Sequence, residues 1–323
     1  MVSSLLVERA ARLERLVVET PTVPLDDDVT GCTLWVKLEY LQPSGSTKDR
    51  FAVFVLARGI GDGTITDGTV VVEASSGSTS IAFAMACAFL GLRFRAVMPA
   101  GVSAERVLII QRYGGQVVLS PPDGGVAAAM DIAEQQAADD PLVFLPRQFA
   151  NPANAEAHQR TTGPELLAAV GRPLDGFVAG IGTAGTLMGI ARAIRAGGQS
   201  GTAIAAVRPT IGSGFAGQPE ICAGFSSGIP GVVEGMSTLL DREEVALEDD
   251  LDVADDLTMA AARELCSRGF PVGLSSGLNL AGARCLATRL GPGHHVATVL
   301  CDRMERYFST GLFDDLTTAP RAP

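Results

Sequence analysis

The strongest constraint on the fold is a unit that recurs along the chain: a short continuous apolar run, a turn built from Gly, Ser and Thr, then a helix-like segment. Val70-Val71-Val72 enters Ser75-Ser76-Gly77-Ser78-Thr79-Ser80 and continues into Ile81 to Leu90, which Gly91 stops. Phe94 to Met98 leads past Pro99 and the helix-capping candidate Ser103 into a helix ending near Gly114-Gly115. Val117-Val118-Leu119 then precedes the Ala-rich stretch Val126 to Ala138. After a polar crossing at 139–155, Phe177-Val178-Ala179 runs through Gly180 to Thr186 into the helix Leu187 to Ile194, followed by the strand Ala203 to Val207. A helix from Leu257 to Cys266, a turn at Val272 to Gly277 feeding the helix Leu278 to Leu290, and a strand from Val296 to Cys301 complete the series. Apolar strands that do not alternate in polarity are buried on both faces, as in parallel sheets covered by helices. The pattern predicts an α/β protein.

The chain has 323 residues, of which 47% are hydrophobic, enough for two cores. The polar crossing at 139–155 separates two α/β units, and 314–323 reads as a frayed tail. An amphipathic helix is expected over residues 4–18. Gly212 to Pro230, dense in Gly, Ser and Pro, is expected to be an ordered loop over a cleft. A formal charge of −11 argues against a nucleic-acid partner, which requires a basic excess. Cys32, Cys87, Cys222, Cys266, Cys285 and Cys301 show no C-x-x-C spacing, which suits reduced, buried thiols in a cytoplasmic protein. His158, His294 and His295 are too few and ill-spaced to build a metal site with them, so no metal is expected. Charged residues interrupt the N-terminal apolar stretch, and no later run is long enough for a membrane span.

The segment Pro43-Ser44-Gly45-Ser46-Thr47-Lys48-Asp49-Arg50 concentrates the chemistry. A strand with Leu34, Val36, Leu38 and Tyr40 on one face and Trp35, Lys37 and Glu39 on the other precedes it, and an apolar helix follows. Lys48 is thus delivered to the first turn of a helix, where the positive end of the dipole disfavours a cation unless the amine is held in an imine. Three further turns feed helices and are suited to anions, because unpaired N–H groups converge there. Gly182-Thr183-Ala184-Gly185-Thr186 is the richest and suits a phosphate. Ser75 to Thr79 suits a carboxylate. Ser275-Ser276-Gly277 offers a third, with one serine capping the helix and the other free to face a ligand. Gly180, Gly182 and Gly185 also spell G-x-G-x-x-G, a dinucleotide fingerprint, but the next strand ends at Val207-Arg208 without the carboxylate that would bind a ribose.

Taken together, these motifs resemble the cysteine synthase and cystathionine β-synthase family, the fold type II β-substituting enzymes that use pyridoxal phosphate. The resemblance runs from about Thr20 to Thr310. It rests on Pro43 to Arg50, Glu73 to Thr79, Gln148 to Asn154, Thr161 to Glu165, Gly182 to Thr186, Gly273 to Gly277, and Asp302 with Arg306 to Thr310. It implies two doubly wound domains, the smaller one, 41–150, mobile and gripping the substrate and the larger one, 1–40 plus 151–313, binding the cofactor phosphate, and it implies a homodimer. It also implies that Lys48 carries pyridoxal 5'-phosphate as an imine. Gly182, Thr183, Ala184, Gly185 and Thr186 would cradle the phosphate, Ser275 would face the pyridine nitrogen, and Ser78 would stand near the ring oxygen. Ser75, Ser76, Gly77, Thr79 and Gln148 would hold the substrate carboxylate. The family usually shows Asn at Ser78 and Gly at Ser80 and at Ala184, which leaves the standard substrate open.

The implied activity is β-replacement on an O-activated L-serine through an aminoacrylate, to which sulfide or another small thiol or amine adds. Alternatives are β-elimination of the cysteine desulfhydrase kind, a diaminopropionate-type synthase using an amine, and, more remotely, a non-catalytic cofactor-binding regulator. A dinucleotide-dependent oxidoreductase stands as the rival from another class.

Overall fold

The computed structural model describes residues 1–210, 237–241, 244–245, 247 and 249–316. The loop expected over Gly212 to Pro230, Cys222, and residues 317–323 of the expected tail lie outside them. In chain order the described elements begin with α1 (Ser4–Glu14), β1 (Thr22–Asp27), β2 (Cys32–Leu38), α2 (Lys48–Gly61), β3 (Val70–Ala74), α3 (Ser78–Leu90) and β4 (Arg93–Met98). There follow α4 (Ala104–Arg112), β5 (Gln116–Leu119), α5 (Gly125–Asp139), β6 (Val143–Phe144), α6 (Ala153–Arg160), α7 (Thr162–Val170) and β7 (Gly176–Gly180). The last are α8 (Gly185–Ala196), β8 (Ala203–Pro209), β9 (Asp249–Val253), α9 (Asp255–Ser267), α10 (Leu274–Leu290) and β10 (His295–Leu300). A 3-10 segment, Gly311–Leu316, carries ordered structure past residue 313, into the stretch expected to fray.

The strands form two sheets, ordered β1-β2-β10-β7-β8-β9 and β5-β4-β3-β6. All pairs are parallel except β1 with β2. Both faces of each sheet are covered, as the continuous apolar strands require. On one face of the large sheet Val178, Val207 and Leu34 pack with Leu278, Leu280 and Ala283 of α10. On the other, Phe177 and Ile204 meet Leu187 and Ile190 of α8. In the small sheet Val71, Phe94 and Ala96 join Phe51 and Phe83, and Val70, Val72 and Val97 join Ala129 and Ala133 of α5.

Three strands escape the sequence reading for physical reasons. β1 contains Pro24, tolerated because β1 is an edge strand. β9 is acid-rich rather than apolar and sits at the other edge, where Asp252 accepts from Arg208 at 2.7 Å. β6 is two residues long. Helix α1 also differs from the division that placed residues 1–40 wholly in the larger unit. Its Leu6, Ala10 and Leu13 are buried with Phe51, Phe83 and Phe94, so its apolar face belongs to the small sheet's core.

The face of the β2 segment that carries Lys37 and Glu39 is buried as well. Lys37 and Glu39 are 0% exposed and form a neutral cluster with Arg50 and Glu165. Arg50 donates to both Glu39 oxygens at 2.7 Å and to Glu165 at 2.6 and 2.7 Å. Lys37 donates to Glu165 and to the Thr20 carbonyl, each at 2.7 Å. The cluster joins β2, α2 and α7, and it locks the first turn of α2 two residues beyond Lys48.

Candidate active site

Four helices begin at one cleft between the two sheets. The residues preceding them, Thr47 before α2, Gly77 before α3, Ala184 before α8 and Gly273 before α10, donate no side-chain cap. Apart from local bonds such as Lys48 N–H to Ser46 Oγ and Gly185 N–H to Thr183 Oγ1, each at 3.4 Å, their first-turn N–H groups are left for a ligand. The cleft spans about 940 Å³ when its mouth, open to solvent, is counted in. Lys48, Ser75, Ser76, Ser78, Thr79, Gln148, Gly182, Thr183, Ala184, Gly185, Thr186 and Ser275 all line it, and Gly77 is buried within the same turn. Ligands collect at such carboxyl ends of parallel strands because the helix N-termini that follow point there.

The chain contains two lysines, Lys37 and Lys48. Lys37 is fully buried and committed to the ion cluster. Lys48 is half-buried at the cleft, and its amine makes no hydrogen bond or ion pair among the described residues. Asp49 braces the turn before it by accepting the Ser44 N–H at 2.6 Å, and Arg306 reaches the Ser44 and Gly45 carbonyls. Burial pushes the Asp49 carboxyl up to about 6, partly offset by the Ser44 hydrogen bonds.

The turn before α8 is shaped for an anion that approaches the backbone. A side chain at Gly185 would lie 2.2 Å from Asn154 Oδ1. Asn154 Nδ2 also donates to Thr183 Oγ1 at 2.9 Å, which holds that hydroxyl in place. Ala184 has φ +61°, a left-handed conformation that glycine adopts without strain and alanine at roughly 1 kcal/mol. That accounts for glycine being usual there in the resembling family. His158 is buried between Thr162 at 2.8 Å and Thr186 at 3.2 Å. Burial, then the Arg50 and Lys48 charges, hold its pKa well below the usual imidazole value, so it braces Thr186 as a neutral ring.

The Ser75–Thr79 turn is tied from below. Ser75 Oγ accepts the Gly77 N–H at 3.0 Å, and Thr79 donates to Gln148 Oε1 at 2.6 Å. Gln148 Nε2 donates to the Ala74 carbonyl at 2.7 Å, which leaves its second hydrogen for a ligand. Glu73 accepts the Ala74 and Gln148 N–H groups at 3.0 and 3.3 Å. Burial pushes its carboxyl up to about 8 against those two hydrogen bonds. Because this folded value lies above the ordinary 4.5, the stability linked to the bound proton is complete below 4.5 and is lost as pH rises through about 8. The melting temperature of the native protein should therefore fall relative to that of Glu73→Gln between pH 5 and pH 9, by roughly a few degrees. Parallel curves for the two proteins would contradict this assignment.

A model of the family described as pyridoxal-phosphate dependent enzyme matches residues 13–302. The chain belongs to this family. It is similar to cysteine synthase B of Campylobacter jejuni, 34% identical over 94% of this chain and 98% of that one. Among solved structures it is similar to a hydrogen sulfide-producing enzyme of Fusobacterium nucleatum, with a TM-score of 0.85, 32% identity, and 95% and 92% of the two chains covered. An O-acetylserine dependent cystathionine beta-synthase of Helicobacter pylori matches with a TM-score of 0.83 and 28% identity over 97% and 99%. The α/β fold is thus the fold type II one, the cofactor is pyridoxal phosphate, and the G-x-G-x-x-G spacing does not mark a dinucleotide site. The cleft fits that cofactor: a lysine without another partner among the described residues faces uncapped helix ends, and Gly185 leaves room where a Cβ would collide.

In this pyridoxal-phosphate enzyme, one carboxylate links two residues that the sequence reading kept apart. Asp302, 4% exposed, accepts from Ser78 at 3.0 Å, Ser275 at 3.4 Å and the Tyr307 hydroxyl at 2.9 Å. Neither serine of the third turn caps α10, since Ser276 Oγ instead accepts the Cys301 N–H at 2.9 Å. Thr47, Arg106, Asn279, Cys301 and Asp302 also line the cleft without having been assigned a role from sequence. Asp302 lay within a quoted motif. Arg106 lies in an ordinary amphipathic helix and gave no signal.

Proposed function

We propose that this enzyme catalyses β-replacement on an O-activated L-serine, joining a small nucleophile to the β-carbon. The observation that carries the reading is Lys48, the one lysine not spent on structure, set among four uncapped helix N-termini. The Campylobacter relative is a cysteine synthase and the Helicobacter one uses O-acetylserine, which supports an activated serine and a sulfur nucleophile. When bound, the cofactor supplies the electron sink for the pair left on the α-carbon. The chain's own residues do the rest. The first-turn N–H groups of α8, with Gly182, Thr183, Ala184, Gly185 and Thr186, would hold the phosphate. Ser76, Thr79, the α3 N-terminus at Ser78 and the second hydrogen of Gln148 would take the substrate carboxylate, with Ser75 bracing Gly77. Ser275 would offer a neutral hydroxyl to the ring, and Ser78 would reach it from the other side of Asp302. Lys48 would act as the general base that removes the α-proton, after which the β-group departs and the nucleophile enters. Closure of the smaller unit, 41–150, over the carboxylate would exclude water.

The test is an assay with O-acetyl-L-serine and sulfide: cysteine formation supports replacement. Ammonia and pyruvate released without a second substrate would instead favour β-elimination, a reading supported by the likeness to the Fusobacterium enzyme. An amine nucleophile in place of sulfide tests the diaminopropionate-type alternative. A yellow protein whose spectrum ignores every amino acid offered would contradict both enzymatic readings. The five described cysteines are free, with Cys32 and Cys87 buried, which supports work in the reducing cytoplasm; two copies are the proposed assembly.

A further inference from the structure

Arg106 in the first turn of α4 is 2% exposed, yet it lines the cleft. Its Nε and Nη1 are sealed from water and have no hydrogen-bond partner among the described residues. Nor does an ion pair with another described residue compensate the charge. Glu105 is committed to the Ser309 N–H and hydroxyl, and Asp302 to Ser78, Ser275 and Tyr307. Among the described residues the guanidinium meets the Tyr307 ring, whose centroid lies 5.1 Å from Cζ. A buried cation left this way is costly, and its position at a helix N-terminus adds to the cost. Its stem runs directly beneath the carboxylate turn: a Cβ on Gly77, which has φ +153°, would lie 2.3 Å from Arg106 Cδ.

We infer that Arg106 supplies the fixed positive charge of an oxyanion subsite on the Ser75–Thr79 turn, and that an anionic group of the substrate balances it. The charge acts through the turn, at short range, on an oxyanion held by the α3 N-terminus. Two sources share this chemistry, the α-carboxylate and a phosphate on the β-oxygen. The inference rests on the proposed reaction, in which an amino acid enters this cleft. Arg106 is a positioning residue here: it attracts and places the anion and takes no part in bond breaking.

The experiment is a titration of the cofactor-loaded protein with O-acetyl-L-serine and O-phospho-L-serine, followed by the change in cofactor absorbance. Arg106→Met, which keeps the packing and removes the charge, should weaken binding about tenfold to a hundredfold with cofactor content unchanged. Arg106→Lys should recover most of the loss. Equal losses for both ligands identify the α-carboxylate as the anion, and a loss confined to O-phospho-L-serine identifies the β-phosphate. Native affinities in Arg106→Met, or equal impairment in Arg106→Met and Arg106→Lys, would reduce Arg106 to packing under Gly77 and overturn the inference. Should Arg106→Met not fold, Arg106→Gln takes its place with the same expected loss. A second readout needs no amino-acid chemistry: sulfate should raise the melting temperature of the native protein and of Arg106→Lys, and not that of Arg106→Met. If the native protein holds no cofactor, the proposed reaction fails while the sulfate shift still decides the role of Arg106.

Discussion

Lys48→Ala should lower turnover by about a thousandfold or more while leaving the fold intact. Two functions leave with one amine, the attachment of the cofactor and the removal of the α-proton. The fold loses little, because Lys48 is half-buried and its amine holds no hydrogen bond or ion pair among the described residues. The chain cannot substitute another lysine. Lys37 lies fully buried in its pair with Glu165. Steady-state rates with O-acetyl-L-serine, beside melting temperatures of both proteins, test this. A large drop in melting temperature would show a structural role instead, and retained turnover would remove Lys48 from the chemistry.

The second large effect falls on stability. Arg50→Met should destabilise the protein by about 3–5 kcal/mol, since it leaves Glu39 buried without its bidentate partner and strips Glu165 of one of its two cations. Burial alone would raise the Glu39 carboxyl, but the Arg50 charge and hydrogen bonds, with Thr20 and Lys37, bring it below 4.5. Glu165 is lowered in the same way, with burial opposed by Arg50 and Lys37. A folded value below the unfolded one gives stability that is present above about 4.5 and lost as pH falls through the folded value. Denaturant unfolding of the native protein and of Arg50→Met should therefore differ most near neutrality and converge in acid. An equal gap at every pH would mean that the loss is one of packing alone.

The sequence carried the fold through its continuous apolar strands, because burial on both faces leaves a mostly apolar run in β3, β7, β8 and β10. It failed where edges and charge break that signal, at the proline-bearing β1 and the acidic β9. The alternation of β2 showed two faces and carried no information on whether the polar one is exposed. A buried face can carry Lys37 and Glu39 when Arg50 and Glu165, distant in sequence, neutralise them. The cleft was legible in Lys48, in the Gly182 to Thr186 turn and in the Ser75 to Thr79 turn, because helix-starting turns of small residues are local. Asp302 meeting both Ser78 and Ser275 was not legible, nor was Arg106 beneath Gly77, since each depends on side chains brought together by tertiary packing. The preference for glycine at Ala184 became intelligible only with its φ of +61°.

The central claim is that the amine of Lys48 is the cofactor's covalent anchor. Reducing the purified protein with borohydride and mapping its peptides by mass tests it directly. The account predicts a phosphopyridoxyl group on the peptide containing Lys48; the same group on Lys37, or an unmodified Lys48 in a protein that holds the cofactor, would contradict it.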